Sequence, residues 1–189
     1  MLLTLALACA PHPAPSVAAA EAGPTTQVAP EAAPAEATIS PPVTLDQLRA
    51  SFPVGTKIRL GITMKDKPPV EQRWTWTAVD PDGCTIASTL HDADGNLLAD
   101  EGAARSTWAE LMGHAVFPAA RTTREDSRVE VPAGTFDTWH FTVTDTEDGV
   151  PVVKRFHFAK TLPGPPLLYT LESGGVEVLR MTMIERTQP

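Results

Sequence analysis

The sequence predicts a mainly β protein: a strongly curved antiparallel meander, half-barrel or barrel-like, with two short helices. Apolar and polar residues alternate at period two in about nine segments between residues 57 and 184, a pattern typical of half-buried strands. Clusters rich in Gly, Pro and Asp separate many of these segments at short intervals, so consecutive strands are expected to pair as hairpins. A sheet of about nine strands tends to curl or close, and the two helices are expected to cover it.

Two helices are predicted from capping-box patterns. Residues 44–47 read TLDQ, in which the threonine caps the helix and the glutamine reaches back to it. An apolar stripe follows, and Pro53 with Gly55 ends the helix. Residues 107–110 read TWAE and begin a second short helix that ends near Gly113. The apolar residues of the two helices are Leu45, Leu48, Phe52, Trp108, Leu111 and Met112.

The first strands alternate over residues 57–64, 73–78 and 84–90. Residues 81–83, PDG, are expected to form a three-residue loop with Gly83 in the left-handed region. This register places the apolar residues on one face, with Cys84 in the core as a small apolar residue rather than a reactive thiol. The predicted pairs are Trp74 with Leu90, Trp76 with Ser88, Ala78 with Ile86 and Asp80 with Cys84.

The middle of the chain contains weaker signals. Asp94-Gly95 predicts a hairpin turn followed by a short strand over residues 97–100, and residues 114–127 are expected to be irregular. The stretch VPAGTF, residues 131–136, predicts another hairpin turn. In it Pro132 sets φ at the first turn position and Gly134 takes a left-handed closing position.

An aromatic hairpin is predicted around Asp148-Gly149, which fits a two-residue type I′ turn. Its apolar face would form a cross-strand ladder, and its opposite face would bring His140 beside His157. The expected ladder pairs are Trp139 with Phe158, Phe141 with Phe156 and Val143 with Lys154. Two strands close the chain, residues 167–171 and 176–184, and the second has apolar residues on both faces.

The N-terminus is predicted to direct and anchor the protein. Residues 1–8, MLLTLALA, read as the apolar region of a signal peptide. Leu7-Ala8-Cys9 resembles the lipobox of bacterial lipoproteins. That resemblance implies cleavage before Cys9, lipidation of this cysteine, and a location in the bacterial cell envelope, facing the periplasm or the cell exterior. Membrane attachment is therefore expected through the lipid anchor.

Residues 9–43 are predicted to be a disordered tether between the lipid and a domain at residues 44–189. Residues 10–42 contain eight Pro and eleven Ala and no aromatic residue. Such a segment buries too little apolar surface to offset the entropy of ordering it. Its prolines favour extended backbone at about 3.1 Å per residue, so the tether would span up to roughly 100 Å.

Composition and motifs narrow the function. The net charge of −8 and the pI of about 5.0 argue against nucleic acid as a partner. The sequence has no nucleophile elbow, zinc-protease motif, Walker loop or dinucleotide fingerprint. His140 and His157 lack an evident third ligand, so neither a metal nor a cofactor is predicted. The segment DADGN at residues 92–96 is interpreted as a turn, because its glycine comes two positions early for an EF-hand.

A family resemblance adds one expectation about the domain. VPAGTF, together with FAKTLPGPPLLYTLESGG at residues 158–175, is similar to a pattern in uncharacterised bacterial envelope proteins. Some of those resemble the half-barrel lipoprotein carriers, which implies a curved antiparallel sheet capped by helices around an apolar cavity. The candidate ligand-binding residues for such a cavity are Trp74, Trp76 and Met183.

Three functions therefore stay open. The first is a membrane-tethered, non-enzymatic module that binds or carries an apolar ligand. The second is a structural or assembly lipoprotein that binds another envelope protein through a sheet face or edge. The third is a hydrolase without a recognised motif, for which His140 and His157 with a carboxylate would be the site.

Overall fold

The computed structural model describes residues 36–189, which form one compact unit, Glu36–Pro189. Residues 1–8, Cys9 and the tether up to residue 35 lie outside the described residues. Within the described part, neither helix is long and apolar enough to cross a membrane. A short strand lies before Thr44: Thr38 pairs with Pro118, and Ile39 pairs with Phe117.

Residues 36–189 contain two α-helices, one short 3-10 helix and eleven strands. The helices are α1 (Leu45–Ala50) and α2 (Trp108–Gly113), and the 3-10 helix is Ala119–Arg121. The strands are β1 (Thr38–Ile39), β2 (Lys57–Met64), β3 (Val70–Val79), β4 (Gly83–His91), β5 (Leu97–Thr107), β6 (Phe117–Pro118), β7 (Thr122–Val131), β8 (Gly134–Glu147), β9 (Val150–Ala159), β10 (Leu168–Ser173) and β11 (Val176–Thr187).

Nine of these strands form one antiparallel sheet in the order β5-β4-β3-β2-β11-β10-β9-β8-β7. It consists of two meanders, β2 to β5 and β7 to β11, joined where β2 pairs with β11. The predicted mainly β meander with two short helices is therefore confirmed. The sheet is not closed into a barrel, because β5 and β7 each have one unpaired edge within it.

The far end of the sheet nevertheless curls back toward its middle. The tip of the β7–β8 hairpin lies beside β11, although three strands separate β7 from β11 in the sheet order. There the Ala133 amide donates to the Met183 carbonyl at 3.3 Å. The tip is the predicted VPAGTF turn, with Val131 paired to Gly134 and a positive φ of 132° at Gly134. The tip of this hairpin therefore packs against the main core, where Val131 is buried and Ala133 is partly buried.

The aromatic hairpin has the predicted register. Asp148 and Gly149 have φ values of 50° and 79°, as a type I′ turn requires. Trp139 pairs with Phe158, Phe141 with Phe156, Val143 with Lys154 and His140 with His157. The turn residues and the period-two pattern, which are both local features, predict the same strand register.

The β3–β4 register differs from the prediction. Trp74 pairs with Ser88 and Trp76 with Ile86, and a bulge between Trp76 and Ala78 shifts the remaining pairs. Because of the bulge, Ala78 is exposed, while Val79 pairs with Cys84 and packs against the core. The loop is also one residue shorter than expected, since the Asp80 amide donates to the Gly83 carbonyl at 2.9 Å.

Gly83 is needed for space and not for a left-handed backbone, so the predicted conformation is wrong at this position. A Cβ atom at Gly83 would lie 2.2 Å from the Ser106 carbonyl oxygen of β5. Two further predictions are corrected. β5 continues seven residues beyond Asp100 to Thr107, and residues 114–127, expected to be irregular, include β6, the 3-10 helix and the start of β7.

Both predicted capping boxes are present, with Thr44 capping α1 and Thr107 capping α2. The helices pack on one end of the sheet, and Phe52, just after α1, stacks on Trp76 with a centroid distance of 4.4 Å. The main core beneath them is built from Leu48, Phe52, Ile58, Leu60, Trp76, Cys84, Trp108, Val131, Ala159, Leu167 and Met183. A second, aromatic core consists of Phe117, Phe141, Val143 and Phe158.

Candidate functional site

The three predicted ligand-binding residues lie in or against the main core. Trp76 is 2% exposed and lies under Phe52, Met183 is 1% exposed, and Trp74 is half-buried. Cys84 is fully buried, as predicted, and burial raises the pKa of its thiol. Met183 borders a cavity, which is described below. A role in ligand binding stays a prediction for all three residues.

A strip of half-buried apolar side chains lies between the two cores on the same face of the sheet. Phe156 pairs with Tyr169, Tyr169 with Met181, and Met181 with the core residue Ile62, so these side chains share one face. A second row lies beside them on the same face, because Leu171 pairs with Leu179 and Leu179 pairs with Met64. The six residues of this apolar strip are Phe156, Tyr169, Met181, Leu171, Leu179 and Met64.

The strip is half-buried because the two helices are too short to cover the whole face of the sheet. Nine strands about 4.8 Å apart make a sheet roughly 40 Å wide. Each helix has six residues and is therefore only about 9 Å long. The helices cover the Trp76 end, and Phe117 covers the aromatic core. Between them Tyr169 stacks on Phe156 at 4.7 Å, and burial raises the pKa of Tyr169 without removing the side chain from solvent.

A cavity of about 190 Å³ adjoins the main core at the end of β11. The β7–β8 tip supplies Ala133 and Phe136, the connector before β10 supplies Leu162, and β11 and the residue after it supply the rest. The lining therefore has apolar walls and one polar side. Its residues are Ala133, Phe136, Leu162, Met183, Arg186 and Gln188.

Arg186 reaches the apolar face through a β-bulge. Met183 pairs with Leu60, but Glu185 pairs with Arg59 and Arg186 with Ile58, so the strand gains one residue between them. In a regular strand Arg186 would point away from Met183; the bulge places it on the face of Ile58 instead. It also turns Glu185 outward, where its carboxylate lies 3.1 Å from Arg59.

The Arg186 guanidinium is held by backbone carbonyls and an aromatic ring. Its Nη1 donates to the Pro163 carbonyl at 2.9 Å, its Nη2 donates to the Ser51 carbonyl, and it lies 4.4 Å from the centre of the Phe52 ring. Its Nε is buried without an acceptor among the described residues. Burial lowers the pKa of Arg186 to about 10, which still leaves it cationic at neutral pH.

The glycine of the connector makes this arrangement possible. A Cβ at Gly164, where φ is 149°, would lie 2.7 Å from the Phe52 ring and 3.2 Å from Nη1 of Arg186. The segment LPGPP, residues 162–166, therefore carries the residue that allows Phe52 and Arg186 to pack together. Arg186 and Gln188 were not predicted as site residues. The signal was present, however, because strict alternation along β11 would point Glu185 inward and Ile184 outward.

The histidine pair forms a separate cluster on the opposite face of the aromatic hairpin. The His140 and His157 rings stack at 4.2 Å, and His140 Nδ1 lies 2.8 Å from Glu125 Oε1. Ser127 Oγ is 3.3 Å from His157 Nδ1 and 2.7 Å from Thr138 Oγ1. Burial, with a smaller effect from His140, lowers the pKa of His157 to about 4.

This cluster contains a serine, two histidines and a carboxylate, as a hydrolytic site does, but they are not hydrogen-bonded in the order that catalysis requires. A nucleophile needs a base that is itself oriented by a third group. Here the carboxylate contacts His140, whereas the serine contacts His157, and the two rings stack instead of sharing a hydrogen bond. Over residues 36–189, no group of three or more His, Cys, Asp or Glu side chains could hold a metal ion.

Comparisons with known proteins give no further guide. The chain matches no protein-family model, no curated protein and no solved structure.

Proposed function

We propose that this protein is a membrane-tethered lipoprotein of the bacterial cell envelope whose β domain binds or carries an apolar ligand on the apolar strip. The observation that carries the proposal is the half-burial of six large apolar side chains on one face, between two cores that are fully covered. Contiguous apolar surface that a fold leaves partly uncovered is typical of a binding site. Four of the six strip residues are aromatic or Met, and the flexible Met side chain adapts to ligands of varied shape.

The test places a charge on the strip and, as a matched control, on the other face of the same strand. Leu179→Glu adds a carboxylate to the strip, whereas Thr182→Glu adds one at a half-buried position facing the opposite side. Binding of the neutral fluorescent probe Nile red is expected to saturate with the parent protein and Thr182→Glu, and to weaken at least about tenfold in Leu179→Glu. Native mass spectrometry should detect co-purified lipid on the parent protein.

Three results would count against apolar-ligand binding on the strip. One is a parent protein that carries no lipid and shows no saturable probe binding. Another is equal weakening by the two substitutions, since only Leu179 belongs to the strip. The third is normal binding by a folded Leu179→Glu protein.

The tether is supported by sequence: the lipobox-like Leu7-Ala8-Cys9 precedes a Pro- and Ala-rich segment that leads into the described domain. Several acyl chains on one cysteine hold a protein firmly at a membrane. Intact-mass measurement of protein extracted from its native membrane should give a diacylglycerol adduct on a chain that begins at Cys9. Cys9→Ser should move the protein into the soluble fraction, and an unmodified Cys9 would disprove the anchor.

A second candidate function, binding another envelope protein, is favoured by one feature of the sheet edge. Leu97 and Leu98, at the start of edge strand β5, are 60% and 55% exposed. An unpaired edge with exposed leucines can accept a strand from a partner. Crosslinking in the native envelope should then trap one stoichiometric partner, and Leu97→Lys should abolish the crosslink; a crosslink unchanged by that substitution would exclude this edge.

A further inference from the structure

The cavity at the end of β11 has an unbalanced positive charge. None of the ion pairs formed among residues 36–189 includes Arg186. Two of the five guanidinium donors bond to backbone carbonyls, and three remain. Arg186 is half-buried, and a cation that is partly removed from water without an anion beside it is stabilised when a partner of opposite charge binds.

Several features build this site, and they are independent of one another. The β-bulge between Met183 and Glu185 turns Arg186 inward, and Gly164 leaves room for its stacking on Phe52. The Gln188 amide donates to the same Ser51 carbonyl that Arg186 contacts, at 2.8 Å, which fixes the polar side of the cavity. The guanidinium is thus held in one position beside apolar walls.

We propose that this cavity binds the head of a single-chain amphiphile that ends in a carboxylate, with Arg186 as its counter-ion. The inference rests on the proposed function, because the alkyl chain of this ligand would lie along the apolar strip. Met183 in the cavity wall and Met181 in the strip are two residues apart on one face of β11. The head and chain sites are therefore adjacent.

The size and charge of the cavity select this class of ligand. A volume of about 190 Å³ is below the roughly 300 Å³ typical of a whole small-molecule pocket, so the cavity takes one end of a ligand. A guanidinium binds a carboxylate through two parallel hydrogen bonds. One unbalanced cation in a chain of net charge −8 matches a monoanion better than a doubly charged phosphate.

The experiment measures binding to the purified full-length protein by titration calorimetry at low ionic strength. The ligands are decanoate, decan-1-ol, decyltrimethylammonium and acetate, each below its micelle concentration. Arg186→Gln removes the cation, and Arg180→Gln is the control, since Arg180 lies exposed on the same strand and pairs with Glu177. Ala133→Phe fills the cavity while leaving Arg186 and the Ala133 amide bond in place.

Decanoate is expected to bind the parent protein and Arg180→Gln at least about tenfold more tightly than decanol. This preference should disappear in Arg186→Gln, and Ala133→Phe should weaken decanoate binding at least about tenfold. Thermal melts establish that each variant is folded. If Arg186→Gln does not fold, Ala133→Phe decides the matter, because unchanged decanoate binding there would overturn the cavity as the site.

Other outcomes separate this inference from the function on which it rests. Equal affinity for decanoate and decanol, or a preference that survives in Arg186→Gln, refutes the carboxylate site but leaves apolar binding intact. Acetate that binds as tightly as decanoate indicates a simple anion site and refutes the amphiphile. Failure of every ligand to bind refutes both proposals.

Discussion

Acid should destabilise the domain through His157, in a pH range that its carboxylates do not share. The His157 ring stacks on His140 and contacts Ser127, and on the neighbouring strand β10 the residue paired with His157 is Leu168. Burial lowers its pKa from 6.5 to about 4. Between those values the unfolded chain binds the proton more readily than the folded one. The free energy of unfolding therefore falls as the pH drops from about 6.5 to about 4.

The size of the effect follows from the shift. A change from 6.5 to about 4 corresponds to roughly 3 kcal/mol if it is fully expressed. Because the ring retains solvent contact, about 1–2 kcal/mol is the expected loss. The carboxylates act at lower pH: the Arg59 guanidinium, for example, lowers the pKa of Glu71 to about 2, so that contribution is lost only below about 4.5.

Urea unfolding at pH 7.0, 5.5 and 4.5, followed by tryptophan fluorescence, measures this loss. His157→Gln cannot take up the proton, so its stability should fall less than that of the parent by about 1–2 kcal/mol over this range. His114→Gln, at the exposed end of α2, should behave like the parent. Parallel pH profiles for the parent and His157→Gln would refute the reasoning, because they would mean that His157 takes up its proton equally in both states.

Two further predictions concern the β4 strand. Gly83→Ala should lower the free energy of unfolding by about 1–3 kcal/mol or more, because its Cβ would lie 2.2 Å from the Ser106 carbonyl oxygen. Gly113→Ala is the control in the same thermal melts, because a Cβ there would have no heavy atom within 4 Å outside its own helix backbone and chain neighbours; equal melting temperatures for the two variants would contradict the account. In a Cys9→Ser background, Cys84 should react with a thiol reagent only at the rate of unfolding, since it is fully buried; rapid labelling of the native protein would show that it is accessible.

The features that local chemistry controls could be predicted from sequence. Both capping boxes, the type I′ turn at Asp148-Gly149 and the register of the aromatic hairpin depend on residues close together in the chain. Period-two patterning also predicted about nine strands, and the strand at Lys57–Met64 has the predicted bounds. In the aromatic hairpin, turn chemistry and alternation predict the same register, so no distant contact was needed to choose it.

Local patterning was insufficient where distant strands meet. Gly83 was interpreted as a turn residue, but its small size is required by β5, more than twenty residues later in the chain. The bulge after Trp76 lets Val79 rather than Ala78 meet the core. Neither β5 beyond Asp100 nor the start of β7 has a clear alternation, because both are sheet edges with polar residues on both faces.

The amino-acid sequence by itself determined a meander of hairpins with two capped helices, because alternation and turn chemistry act over a few residues. The tertiary structure decided that β2 and β11 join the two meanders, and it left the apolar strip only partly covered. It also decided that Arg186 and not Glu185 faces the core side, since the bulge that exchanges them forms through pairing with β2. Interactions between residues over a hundred positions apart thus place the charge beside the cavity.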